Sequence, residues 1–156
     1  LYRAAPGGAA VTIPVVILMD AHSASGSEVF ASALRDNGRA ILIGETSYGK
    51  GTVQSVVDLS NGGAFRLTTA RYYTPAGRAL HAEEGYRGGV VPDVSRPETA
   101  AERSDRLRRW EVEAIEWNRK PGLGEPDTSP LPRDAQLDAA IALLRGRPAA
   151  SRIPAQ

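Results

Sequence analysis

Residues 11–19 restrict the fold more than any other stretch of this chain. They are nearly all apolar and rich in β-branched side chains. A strand with one wet face alternates polar and apolar residues; this one does not, so both of its faces need cover, as in a buried parallel strand. Residues 25–37 follow at helical spacing, with Val29, Phe30, Ala33 and Leu34 forming one apolar face. Asn37-Gly38 supplies a helix stop, and residues 40–43 make a second short apolar strand. Strand, helix, strand in that order predicts a right-handed βαβ unit and an α/β fold.

The pattern then changes. Residues 52–59 and 64–70 flank Ser60-Asn61-Gly62-Gly63, which predicts a β-hairpin. Residues 71–74 extend its second arm, Pro75-Ala76-Gly77 turns the chain, and residues 90–93 form a short closing segment. Beyond Arg96 the composition shifts to charge and alanine. A charged amphipathic helix is expected over 97–120, where Leu107, Trp110, Ala114 and Trp117 form a narrow apolar stripe suited to packing. Residues 121–133 read as a Pro/Gly linker. A terminal helix over 134–146 starts at Asp134 as N-cap, carries Leu137, Ala140, Ile141 and Leu144, and stops at Gly146; residues 147–156 read as a frayed tail.

Composition removes several functions. With 19 basic and 18 acidic residues in 156, the chain lacks the concentrated positive charge of a nucleic-acid binder. It has no cysteine, which excludes disulfides, cysteine-based zinc sites and a thiol nucleophile. No apolar run reaches membrane-spanning length, so stable membrane insertion is not expected. Leu1 is not preceded by an initiator methionine, and no signal peptide is visible, which points to a fragment or a processed product.

The chemistry concentrates between Ser23 and Gln54. Ser25 stands at the start of the first helix, where free backbone N–H groups can stabilise an oxyanion and Gly26 supplies the nearest of them. A hydroxyl needs a base to become a nucleophile. Lys50, set between Gly49 and Gly51, can serve as one if its ammonium is destabilised by burial. On the residues alone, Ser23 and Ser27 are placed as well as Ser25, and Ser25-x-x-Glu28 also reads as a capping box. Residues 44–50 match the first seven positions of a phosphate-binding loop, but Gly51 stands where Ser or Thr would hold magnesium, and residues 52–57 look extended where a helix should begin. The two histidines, His22 and His81, read as surface residues, and neither spacing suggests a metal site.

Residues 16–36, centred on Ser23-Ala24-Ser25-Gly26-Ser27-Glu28, resemble the nucleophile segment of the C-terminal processing (tail-specific) serine proteases. The likeness continues through residues 39–54, which contain Gly49-Lys50-Gly51-Thr52-Val53-Gln54, through 67–78, and ends near 91–94. It implies a serine–lysine dyad with Ser25 as nucleophile and Lys50 as general base. It also implies Gln54 as the residue orienting that lysine, Gly26 as an oxyanion-hole donor and Asp36 as a supporting acid. Residues 1–96 would then be the C-terminal half of a protease domain, a partial ClpP/crotonase-like β-β-α core with a β-hairpin and C-terminal helices. The upstream half, a PDZ domain and the glycine giving the second oxyanion-hole donor have no counterpart in this sequence.

The resemblance further implies protein or peptide substrates with accessible C-terminal tails, no metal or cofactor, and an extracytoplasmic location: periplasmic or secreted, or the chloroplast lumen in a plant. It admits a homo-oligomer. Three other readings stay open: a non-catalytic binding module of the same superfamily, a nucleotide binder, and a structural fragment that oligomerises through the Trp110/Trp117 helix.

Overall fold

A computed structural model describes residues 13–82, 87–117 and 130–146. Its centre is a three-stranded sheet in the order β1-β2-β5. β1 (Val15–Met19) runs parallel to β2 (Ala40–Gly44), with Val15 opposite Ala40 and Met19 opposite Gly44. α1 (Gly26–Asp36) joins them, as the periodicity predicts. The hairpin follows: β3 (Thr52–Asp58) pairs antiparallel with β4 (Ala64–Arg71), with a register shift between Val53 and Gln54. β5 (Val94–Ser95) then pairs with the far edge of β2, Ile43 opposite Val94. α2 (Ala100–Trp117) and α3 (Ala135–Arg145) complete the order.

The central strand is β2, whose residues are all buried. Its side chains alternate between two cores, as a pleated strand requires. Leu42 packs with Met19, Ala31, Leu80 and Val90 on the α1 side. Ile41 and Ile43 pack with Ala140 on the other, with Val16 and Leu143 against them. α3 is therefore the second cover that a strand apolar on both faces needs. Asp134 caps it by accepting the Leu137 N–H at 2.8 Å, and the Gln136 side chain donates to the Arg96 carbonyl at 3.0 Å. The capping signal at Asp134 and the stop at Gly146 thus fix the helix that covers this side of the sheet.

Four expectations change. β1, expected to be buried, lies at the edge of the described sheet and leaves Leu18 36% exposed. α1 does not bury its largest apolar side chain: Phe30 faces outward, and the buried positions are Glu28, Ala31 and Ser32. The helix is turned to bring the Glu28 carboxylate inward, and small Ala31 and Ser32 let it approach. Along α2, Leu107, Trp110 and Trp117 are all exposed, so the stripe is not what holds this helix to the described residues. Ion pairs from Arg103 and Arg106 do that. His81, expected at the surface, is buried with its ring edge-on to Tyr73. The N-terminal part of the 11–19 stretch, most of the linker and the 147–156 tail lie outside the described residues.

Candidate active site

Ser25 caps α1 with φ 56° and ψ −116°, and it is the only described residue other than glycine with positive φ. A side chain in that region is sterically crowded, at a cost of about 1–3 kcal/mol. The neighbouring bonds hold the turn in place. Glu28 Oε2 accepts the Ser25 N–H at 2.8 Å, and the Glu28 and Val29 N–H groups both donate to the Ser25 carbonyl at 3.0 Å. Ser25 and Glu28 form the reciprocal capping box that their spacing predicts. Ser23 differs: its hydroxyl donates to Asp20 Oδ1 at 3.0 Å and accepts the Asp20 N–H at 3.1 Å. Gly26 is exposed, with open space where a side chain would stand, so another chain can approach its backbone.

The loop from Glu45 to Gly51 closes over the same carboxylate. Glu28 is 0% exposed and takes four donors: Ser47 Oγ, the Gly49 N–H (2.6 Å), the Lys50 N–H (2.9 Å) and the Ser25 N–H. One oxygen, Oε2, thus holds the backbone N–H groups of both Ser25 and Lys50. The resemblance of residues 44–50 to a phosphate-binding loop has a physical basis, because the loop does cradle an anionic group. That group is the protein's own carboxylate, and the chain after Lys50 enters β3 rather than a helix, which removes the nucleotide-binding context.

The glycines on either side of Lys50 serve close approach. At Gly51 a Cβ would lie 2.5 Å from the His81 N and 2.7 Å from the Leu80 carbonyl carbon. Gly49, at φ +89°, sits against Gly88 and Gly89. The Tyr48 N–H donates to the Ser23 carbonyl at 2.9 Å, a second tie between the lysine loop and the serine turn.

Lys50 is exposed, and with His22, Ala24 and Tyr48 it lines a cleft of about 440 Å³ beside the serine turn. The burial expected to destabilise its ammonium is therefore not supplied by the described residues. Gln54 is exposed at the irregularity in β3, with no hydrogen bond to Lys50 among the described residues. Asp36 lies elsewhere, at the far end of α1. Its side chain is 4% exposed and binds Arg78 (2.6 Å), Arg35 (3.3 Å) and the Ala76 N–H (3.1 Å), pinning the turn after β4. Burial pushes its pKa up, but bonds from Thr74 and Ala76 and the two arginine charges outweigh that and hold it below the usual carboxylate value. No described group of His, Asp or Glu residues is arranged to hold a metal ion.

Residues 2–96, more than half of the chain, match the model of peptidase family S41. The chain belongs to peptidase family S41. Among curated relatives, a carboxy-terminal-processing protease of Bartonella bacilliformis is 37% identical over 142 residues, covering 85% of this chain and 32% of its own. The chloroplastic carboxyl-terminal-processing peptidase 3 of Arabidopsis thaliana is 44% identical over 88 residues, covering 56% of this chain and 16% of its own. The chain thus spans about a third, or less, of these relatives. In fold, it is similar to a candidate peptidase from Parabacteroides merdae, with TM-score 0.53 and 19% identity over 84% of this chain and 31% of that one. The S41 match ends at Arg96, just before α2.

Sequence reading singled out Ser25, Gly26 and Lys50 as candidates but gave Glu28 only a capping role. The missed signal was its position. An acid three residues after the N-cap of a helix packed on a sheet lies beside the end of the next strand, where a glycine-rich loop has N–H groups to satisfy.

Proposed function

We propose that this chain carries the nucleophile and general base of a serine endopeptidase acting near protein C-termini. The observation that supports the reading best is the sharing of Glu28 Oε2 by the Ser25 and Lys50 amides. It ties the two backbones side by side. Neutral Lys50 takes the Ser25 proton as the hydroxyl oxygen attacks a peptide carbonyl. The Gly26 N–H steadies the oxyanion, Lys50 protonates the leaving amine, and water releases the acyl group. Gln54 would orient Lys50 once the cleft is filled, and Asp36 supports the site by fixing the turn after β4. Because Lys50 is exposed here, the bound substrate or the rest of a longer protein must exclude water from it.

In this reading the α/β unit is part of a ClpP/crotonase-like core. The substrates are proteins or peptides with free tails, and no cofactor takes part. The enzyme works outside the cytoplasm, in the periplasm or, in a plant, the chloroplast lumen. The test is cleavage of a tail-bearing substrate by the protein that carries this chain. Ser25→Ala and Lys50→Ala each abolish turnover, whereas Ser23→Ala retains it. Turnover that survives in the Ser25 variant overturns the assignment and leaves the non-catalytic binding module as the better reading.

A further inference from the structure

α2 lies beyond the residues matched by the S41 family model, yet its buried Arg106 reaches the turn that carries the candidate nucleophile. Arg106 is 8% exposed. Its guanidinium forks onto Glu98, with Nε to Oε1 at 2.7 Å and Nη2 to Oε2 at 2.9 Å, and Nη2 also donates to Asp20 Oδ2 at 3.1 Å. The Trp110 ring lies 4.8 Å from the guanidinium carbon on the next helical turn. Glu98 is anchored in its own right, because its N–H donates to Glu45 Oε1 at 2.9 Å.

The other oxygen of Asp20 organises the approach to Ser25. Oδ1 accepts the His22 N–H (3.0 Å), the Ser23 N–H (2.9 Å) and the Ser23 hydroxyl (3.0 Å). The Ser23 carbonyl in turn accepts the Tyr48 N–H of the lysine loop. A continuous chain of bonds thus runs from α2 through Asp20 to the strained turn at Ser25 and to the loop bearing Lys50.

From this connection we infer that Arg106 is a positioning residue, which acts through Asp20 to hold the Ser25 turn and the Lys50 loop in register. The inference rests on the serine–lysine reading above. A guanidinium suits the task because its planar fork can hold Glu98 and Asp20 together, which a lysine ammonium in the same place cannot do with the same geometry. A buried ion pair is a poor source of net stability but an effective way to fix an orientation.

The experiment is a mutant cycle on turnover in the protein that carries this chain. Asp20→Asn is the sharpest variant. Its remaining oxygen can keep the turn bonds, while its amide nitrogen faces Arg106 and breaks only the link to α2. Asp20→Asn and Arg106→Gln should each lower kcat about tenfold or more, with little change in KM, the scale of a sub-ångström to ångström misplacement of reacting groups. The double variant should be no slower than the slower single, because both changes cut one connection. Arg106→Lys should recover part of the loss. Ile41→Val, which thins the core on the α3 side, serves as a stability control with wild-type kcat. Wild-type kcat in folded Asp20→Asn and Arg106→Gln, or losses that multiply in the double variant, would overturn the inference. If Arg106→Gln fails to fold, Asp20→Asn decides alone. Turnover surviving in Ser25→Ala would instead indict the dyad reading, so the two failures are separable.

Discussion

Replacing Glu28 with glutamine tests how the site is held together, because it changes one atom in a fully buried group. The carboxylate receives donors only: Ser47 Oγ and the Gly49 N–H at Oε1, the Ser25 and Lys50 N–H groups at Oε2. Glutamine turns one of these oxygens into a second pair of donors. The amide should orient its nitrogen toward the Oε1 position, because Ser47 there is a hydroxyl that can rotate to accept. That hydroxyl already accepts the Val90 N–H at 2.7 Å and has a second lone pair. The Gly49 N–H cannot rotate and is left facing another donor. One charge-assisted hydrogen bond is lost outright, and the others weaken as the charge disappears. At about 1.5–3 kcal/mol for a bond to a charged group, the loss comes to roughly 2–4 kcal/mol. For a chain of this length that lowers Tm by about 5–15 °C. Turnover should fall with less effect on KM, since the Ser25 and Lys50 amides keep an acceptor but lose its charge. Glu28→Ala, which abandons all the donors, should be worse in both respects. Thermal unfolding followed by circular dichroism, with turnover measured well below Tm, checks both. A Glu28→Gln protein with wild-type Tm and kcat would refute the view that this carboxylate fastens the site.

Two further predictions concern the surroundings of that clamp. Gly51→Ala places a methyl group against the backbone at Leu80 and His81, and it should cost about 1–3 kcal/mol as an overpacked contact; urea unfolding with an unchanged midpoint would contradict the close approach. Asp36 has a folded pKa below its ordinary value of 3.8, so its contribution to stability is complete above that value and disappears as pH falls through the lower folded one. Asp36→Asn should therefore flatten the loss of stability between about pH 5 and pH 2; an acid limb as steep as the wild type's would show that Arg35 and Arg78 do not hold the carboxylate as described.

How much of the fold was readable follows from the range of the interactions involved. α1, α3 and the hairpin were visible because their signals are local: the periodicity of Val29, Phe30, Ala33 and Leu34, the Asp134 cap, and the turn at Asn61-Gly62. Which face of α1 is buried was not, because Phe30 is the more apolar residue and only the distant 47–50 loop makes it favourable to turn Glu28 inward. The same limit applied to α2. Its aromatic stripe was the strongest local feature, whereas the contacts that hold it run from Arg106 to Asp20, far apart in sequence.

Taken alone, the order of residues determined the chemistry on offer: a serine at a helix start, a lysine between two glycines and no thiol. It also determined the parallel strand pair, because an apolar run without alternation needs cover on both sides. Tertiary structure decided which groups meet. A single buried oxygen gathers the amides of Ser25 and Lys50, and an arginine of α2 grips the turn before them. Local sequence cannot report such contacts, because their strength depends on burial and geometry that exist only once distant segments have packed together.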